Sequence, residues 1–346
     1  MSGTIQQRLN LELPIIQAPM AGVQGSELAI SVSSAGGLGS LPCAMLAPTR
    51  IGEELSAIAA ASDKPVNVNF FCHQPLPADA EREQRWLAEL ANYYREYGID
   101  ADAIAPAPTR TPFDEQALEL VREYRPAVVS FHFGLPEPAL LDAVKATGAM
   151  ILSSATTLAE ARWLERMGVD AIIAQGVEAG GHRGMFLGDD LTTQMTTFTL
   201  LPQIARAVSL PVIAAGGIAD ADGVAAALQL GADAVQVGTS YLLCDETTTS
   251  TVHRAALQSP DAQHTALTNR FSGRPARSIV NRVMRELGPI GEVPPFPMAG
   301  AALAPLRAAA EAAGRGDFSS LWSGQNNSGC RQTGAAELTR SLALRL

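Results

Sequence analysis

Short apolar runs that alternate with longer helical patterns constrain this chain more than any other feature. Residues 14–18, 38–41, 66–70, 127–131, 150–153, 171–174, 212–215 and 234–237 read as strands, several of them rich in Val and Ile. Helical patterns fall between them, over residues 26–34, 51–61, 114–123, 138–146, 158–167, 199–208 and 221–230. Strands that alternate with helices pair in parallel, because parallel neighbours require a crossover connection. About eight such units predict a closed (β/α)8 TIM barrel of the α/β class. The competing open sheet would carry G-x-G-x-x-G after an early strand. The nearest match, Gly36-Gly37-Leu38-Gly39, follows a helix and has the wrong spacing.

The rhythm breaks twice. Residues 73–112 carry prolines, a charged helical run over 80–97, and further prolines at 106–112, which reads as an excursion after the third strand. From about residue 248 the pattern changes to helical segments, a Pro/Gly-rich stretch at 288–300 and an Ala-rich helix at 301–313. The expected organisation is a barrel over 1–247 and a helical cap or substrate subdomain over 248–346.

Composition removes several chemistries. The net charge of −10 argues against nucleic-acid or anionic-membrane partners. Cys43, Cys72, Cys244 and Cys330 are widely spaced and suggest neither a disulfide framework nor a metal cluster. Glu178 and His182 lack the helix and the third ligand that a metal would need, so no metal is expected. No basic-then-apolar leader and no run of about 18 apolar residues appears, so a cytoplasmic setting is expected. The chain holds two lysines, Lys64 and Lys145, both placed away from strand C-terminal ends. Schiff-base and pyridoxal chemistry therefore drop out, as does the P-loop. The oligomeric state is left open.

A barrel of this kind keeps its active site at the C-terminal strand ends. Those ends read Ala18-Pro19-Met20, Asn69-Phe70, His132-Phe133-Gly134, Ser153-Ser154-Ala155, Gln175-Gly176, Gly216-Gly217-Ile218 and Gly238-Thr239. Glycines after the seventh and eighth strands let backbone N–H groups approach a phosphate. One phosphate site suggests a mononucleotide or a sugar phosphate; without a usable lysine FMN is the leading mononucleotide, and the amides of Asn69, Gln175 and Gln236 suit the edge of a flavin ring. His182, in Glu178-Ala-Gly-Gly-His182-Arg183-Gly184, is the leading catalytic residue. His132 lies between two phenylalanines and reads either as a core histidine or as a substrate contact. His73 is ambiguous, and His253 and His264 read as structural.

These segments resemble the nitronate monooxygenases, class I-like, formerly called 2-nitropropane dioxygenases. The likeness rests on Gln17-Ala-Pro19-Met20, Ser33 to Gly39, Val66-Asn-Val-Asn69-Phe, Ser130-Phe-His132-Phe-Gly134, Ala174 to Gly184, Ala214-Ala-Gly-Gly217-Ile and Gln236-Val-Gly238-Thr239. It implies FMN held by Asn69, Gln175, Gly180, Gly217 and the run Gln236-Val237-Gly238-Thr239. Ala18, Pro19, Met20, Gly181 and Gly216 complete the expected cofactor set. It also implies His182 as the active-site histidine, and oxidation of alkyl nitronates by dioxygen to carbonyl compounds and nitrite. A nitronate is already an anion, so His182 would act mainly as a donor or positive group that orients it. The alternative is an NAD(P)H-dependent flavin reductase acting on quinones or enoyl thioesters. One wall departs from the family. The tyrosines of its close members appear here as Phe296 and Gly300 and their lysine as Ala304, which favours a more apolar substrate pocket lined by Phe296, or a different acceptor.

Overall fold

The computed structural model describes residues 4–100, 104 and 110–346. Part of the proline-rich stretch at 106–112 lies outside the described residues. Eleven strands are described: β1 (Ile15–Gln17), β2 (Gly39–Pro42), β3 (Val66–Phe71), β4 (Val128–His132), β5 (Met150–Ala155), β6 (Ala171–Gln175), β7 (Gly181–His182), β8 (Val212–Ala215), β9 (Ala234–Val237), β10 (Thr265–Thr268) and β11 (Ala276–Ile279). Eight of them form one parallel sheet in the order β1-β9-β8-β6-β5-β4-β3-β2. A parallel bridge between Ile16 and Leu38 closes it, with Gln17 N–H donating to Leu38 O and Leu38 N–H to Ile15 O at 2.9 and 2.8 Å. The result is the expected (β/α)8 barrel.

The two-residue side-chain period of a strand divides these runs between two cores. Val68, Val129, Phe131, Ile151, Ile172, Ala214 and Val235 point outward and pack beneath the helices. Ile16, Leu38, Val128, Leu152, Ile173, Ile213 and Ala234 point inward and fill the barrel, with Ile5 and Leu11 plugging its N-terminal end. Continuing the inward parity toward the strand C-termini gives Asn69, His132, Ser154, Gln175 and Gln236. The interior thus changes from aliphatic to polar along the barrel axis, which puts the chemistry at the C-terminal mouth.

The excursion helix Ala80–Tyr97 packs on the Ala-rich helix Ala299–Ala312. Trp86 Nε1–H donates to Ala299 O and the Tyr94 hydroxyl to Ala302 O, at 3.0 and 2.8 Å. The excursion and the C-terminal segment therefore share one apolar cluster over the mouth. The segment read as helical also carries β10 and β11, which pair with β7 in a three-stranded antiparallel sheet. The periodicity of 265–268 and 276–279 is too short to identify strands whose partner lies about ninety residues upstream. The last helix, Ala335–Leu342, returns to the barrel wall, where the Tyr241 and Thr339 hydroxyls meet at 2.8 Å. Among the described residues, no helix is long and apolar enough to cross a membrane.

Two glycines test this packing in opposite directions. A Cβ on Gly39 would lie 2.0 Å from the carbonyl oxygen of Ala29, a backbone atom of the adjoining helix. Gly39→Ala is expected to destabilise the fold by ~3 kcal/mol in urea unfolding. Gly52, inside the helix Pro48–Ala61, meets nothing closer than 3.7 Å. Gly52→Ala is expected to stabilise by about 0.5–1 kcal/mol through helix propensity. A loss at Gly52 or a gain at Gly39 would contradict the packing described.

Candidate active site

Two inward-facing strand-end side chains hold one backbone carbonyl. The oxygen of His182 accepts from Gln175 Nε2 at 3.0 Å and is 3.2 Å from His132 Nε2. A carbonyl cannot donate, so His132 carries its proton on Nε2. Burial pushes the His132 pKa down to about 4, so the ring is neutral and its Nδ1 accepts from the Ser154 hydroxyl at 3.0 Å. Both ring nitrogens are thus engaged, and His132 positions the loop. Gln175 completes the brace, since its Oε1 accepts Gly184 N–H at 2.8 Å.

The rest of the loop is tied equally well. Arg183, 1% exposed, donates to Gly176 O and Gln175 O, both at 2.7 Å, and to Gln194 Oε1 at 2.9 Å. The Glu178 carboxylate accepts Thr197 N–H at the start of the helix Thr197–Ala207, where a negative group complements the free amides. Buried Glu160 accepts Phe186 N–H at 2.7 Å. The glycines around His182 therefore serve close approach. A Cβ on Gly180 would lie 2.6 Å from Gly324 N, and Gly181 has φ +70° with open space where its Cβ would be.

His182 projects into a box of rings from three parts of the chain. Its ring centroid is 6.3 Å from Phe71, 5.9 Å from Phe133, 5.6 Å from Phe296 and 5.3 Å from Trp322. Its Nε2 meets the Ser272 hydroxyl at 2.8 Å, whereas its Nδ1 has no partner among the described residues. Burial, and then the positive field of Arg110, hold the His182 pKa well below its ordinary value. Ser272 sets which nitrogen bears the proton. A serine that donates to Nε2 leaves Nδ1–H as a donor, and one that donates to Arg274 O leaves Nδ1 as a base. Phe133 has φ +69°, rare for a bulky residue, in a turn that sets its ring against Phe71 and Phe296.

Opposite the box lie the residues read as a flavin cradle. Both Asn69 Nδ2 protons go to Ser130, to its carbonyl and its hydroxyl, which leaves Oδ1 as a free acceptor. Gln236 Oε1 is buried without a partner among the described residues. Gly216 and Gly217 have φ of +113° and +74°, and a Cβ on Gly217 would meet nothing closer than 3.6 Å. Ala18 and Met20 border Gly238. These orphaned amide atoms and the open glycine turn fit a planar group with polar edges and a phosphate. A C-terminal strap covers this side. Gly324 N–H donates to Thr239 Oγ1 at 2.9 Å, and Asn326 Nδ2 donates to Gly217 O at 3.0 Å.

The sequence reading missed Phe71, Ser272, Arg274, Trp322 and the strap. Phe71 was accessible, since it continues the inward parity of Asn67 and Asn69. The others come from the cap, whose placement the barrel pattern does not encode. Of the two histidines read as structural, His253 is buried and bonded through Nε2 to Trp322 O at 3.0 Å. Gly300 has a packing reason, because a Cβ there would come within 2.9 Å of Phe271 O. Among the described residues, no group of three or more His, Cys, Asp or Glu is placed to hold a metal ion.

The buried histidines also set the acid limit of the fold. Burial lowers His132 and His253 to about 4 each, below the ordinary 6.5. Between those values the unfolded chain binds protons that the folded chain does not, so stability rises with pH from about 4 to about 6.5 and then levels. Each contributes up to ~3 kcal/mol across that window. Unfolding midpoints measured against pH should show this slope, and His253→Gln should reduce it. A flat profile would mean that these rings are solvated.

The chain is similar to known proteins over almost its full length. Residues 4–344 match the family model described as nitronate monooxygenase. A nitronate monooxygenase of Pseudomonas aeruginosa is 41% identical over 349 residues, covering 99% of this chain and 98% of that protein. One from Paraburkholderia phytofirmans is 44% identical over 338 residues, covering 96% and 92%. Among solved structures, a nitroalkane oxidase from Streptomyces ansochromogenes aligns with a TM-score of 0.89 and 37% identity, covering 97% of this chain and 96% of that one. A (β/α)8 barrel that matches the family model over residues 4–344, and these proteins over almost their full length, belongs to the nitronate monooxygenase family of flavin-dependent oxidoreductases.

Proposed function

We propose that this protein oxidises alkyl nitronates with dioxygen on bound FMN, giving a carbonyl compound and nitrite. The observation that carries this reading is His182: a neutral ring, braced through its own carbonyl, with an unpartnered Nδ1 inside an aromatic box. FMN would be held by Ala18, Pro19, Met20, Asn69, Gln175, Gly180, Gly181, Gly216, Gly217, Gln236, Val237, Gly238 and Thr239. When bound, it supplies the electron acceptor for the nitronate and the route of those electrons to dioxygen.

The chain's own residues then have separable tasks. Nδ1–H of His182 donates to a nitronate oxygen, in the tautomer that Ser272 selects by donating to Nε2. His132 and Gln175 fix that ring by holding its backbone. Phe71, Phe133 and Phe296 exclude water, so the hydrogen bond acts at low dielectric and gains strength. A neutral nitroalkane would instead require Nδ1 as a base, which the low pKa of His182 disfavours. The match across residues 4–344 sets nitronate oxidation ahead of NAD(P)H-dependent reduction. Dioxygen is the proposed second substrate. Four free cysteines suit a reducing cytoplasm.

The direct test is steady-state turnover of the purified FMN-loaded protein, with nitrite and carbonyl product measured against oxygen consumed. Equal yields of nitrite and carbonyl are expected, and a nitronate left unconsumed would end the proposal. His182→Asn is expected to retain FMN and lower kcat/KM for the nitronate by about 100-fold, as for other single oxyanion donors. Ser272→Ala should lower it by roughly tenfold by releasing the tautomer. Unchanged kinetics in His182→Asn would assign the donor to another group.

A further inference from the structure

Two half-buried arginines lie against the rings of the His182 box. Arg274 Cζ lies 4.1 Å from the centroid of Phe133, and Arg110 Cζ lies 5.3 Å from that of Phe296. Both rings are walls of the His182 box. Among the described residues neither guanidinium forms a salt bridge, the buried Glu160 carboxylate attracts Arg274 only from beyond contact, and the only hydrogen bond from either is Arg274 Nη2 to Met185 O at 2.5 Å. Burial works against both charges. An arginine kept charged, desolvated and unpaired is costly unless an anion completes it. A second orphan borders the same rings. His73, 4% exposed, donates Nε2–H to Arg110 O at 3.1 Å and packs edge-on to Phe296 at 4.9 Å, with its buried Nδ1 unpartnered among the described residues.

We propose that Arg110 and Arg274 form the anion-holding element of this site, a two-guanidinium clamp on Phe133 and Phe296 that binds small planar oxyanions. Nitronates, nitrite and nitrate share its ligand chemistry, a delocalised negative charge over coplanar oxygens. A guanidinium offers such a group a planar fork of donors. The clamp selects the nitronate over the neutral nitroalkane and makes product nitrite a competitive inhibitor. Its assignment to turnover rests on the nitronate reading, whereas anion binding itself does not.

The test uses the FMN-loaded protein and nitrate as probe. Nitrate is titrated at equilibrium, read by the flavin difference spectrum and by Trp322-sensitive fluorescence, and nitrite is then examined as an inhibitor of nitronate turnover. Wild type is expected to bind nitrate saturably, with nitrite competitive against nitronate. Arg110→Met and Arg274→Met should each weaken nitrate about tenfold and raise KM for the nitronate more than they lower kcat. Arg110→Lys and Arg274→Lys should recover most of the nitrate affinity, which a purely packing role would not produce. The proposal is overturned if wild type binds no nitrate, if the Met variants bind it as wild type does, or if folded Lys variants are as defective as the Met ones. Should wild type bind nitrate but leave a nitronate unoxidised, the clamp stands and the nitronate reading fails.

Discussion

One carbonyl oxygen organises the active end of this barrel. The backbone oxygen of His182 is held by Gln175 from the end of β6 and by His132 from the end of β4. Everything chemical about His182 follows from that brace. With its backbone fixed, the ring has one nitrogen engaged by Ser272 and one without a partner among the described residues. The same strand ends carry the residues proposed to face the flavin, so the proposed cofactor site and the histidine share one frame. Catalysis by orientation demands such rigidity, because a misplacement of about 1 Å can cost 100-fold in rate.

The brace explains a division of labour among residues of similar chemistry. His132 and His182 are both buried histidines with lowered pKa, yet His132 spends both nitrogens on the scaffold and His182 keeps one without a partner among the described residues. Arg183 and Arg274 are both desolvated, yet Arg183 has three protein acceptors and Arg274 has one. A polar group whose hydrogen bonds are filled by the protein is structure. One left unfilled in a closed site is an invitation to a ligand. The overall charge of −10 coexists with a positive interior, so the field that an anionic substrate meets is set locally.

Much of this was legible in the sequence, and the rest was hidden for a physical reason. Strand positions, closure into a barrel and the rim residues Asn69, His132, Gln175, Gly217 and Gln236 follow from a period of two and from turn chemistry, both local signals. His182 stood out because glycines surround it. The expected apolar wall is also charged, since Phe296 lies beside His182 and carries Arg110 on its face. Arg274, Ser272 and Trp322 reach the site through the sheet that joins β7 to β11 and β10. That pairing spans about ninety residues, and no local pattern specifies it. The change from aliphatic to polar along the inward parity was available throughout, and it would have added Phe71.

The central claim is that a neutral, braced His182 presents a nitronate anion to FMN in a dry box. The most direct measurement is anaerobic stopped-flow mixing of the FMN-loaded protein with an alkyl nitronate, followed at the flavin absorption band, beside parallel mixing with NADH and NADPH. Rapid, saturable flavin reduction by the nitronate, slowed strongly in His182→Asn, is the expected result. No reduction by the nitronate, with prompt bleaching by NADH or NADPH, would contradict it and assign the site to a reductase.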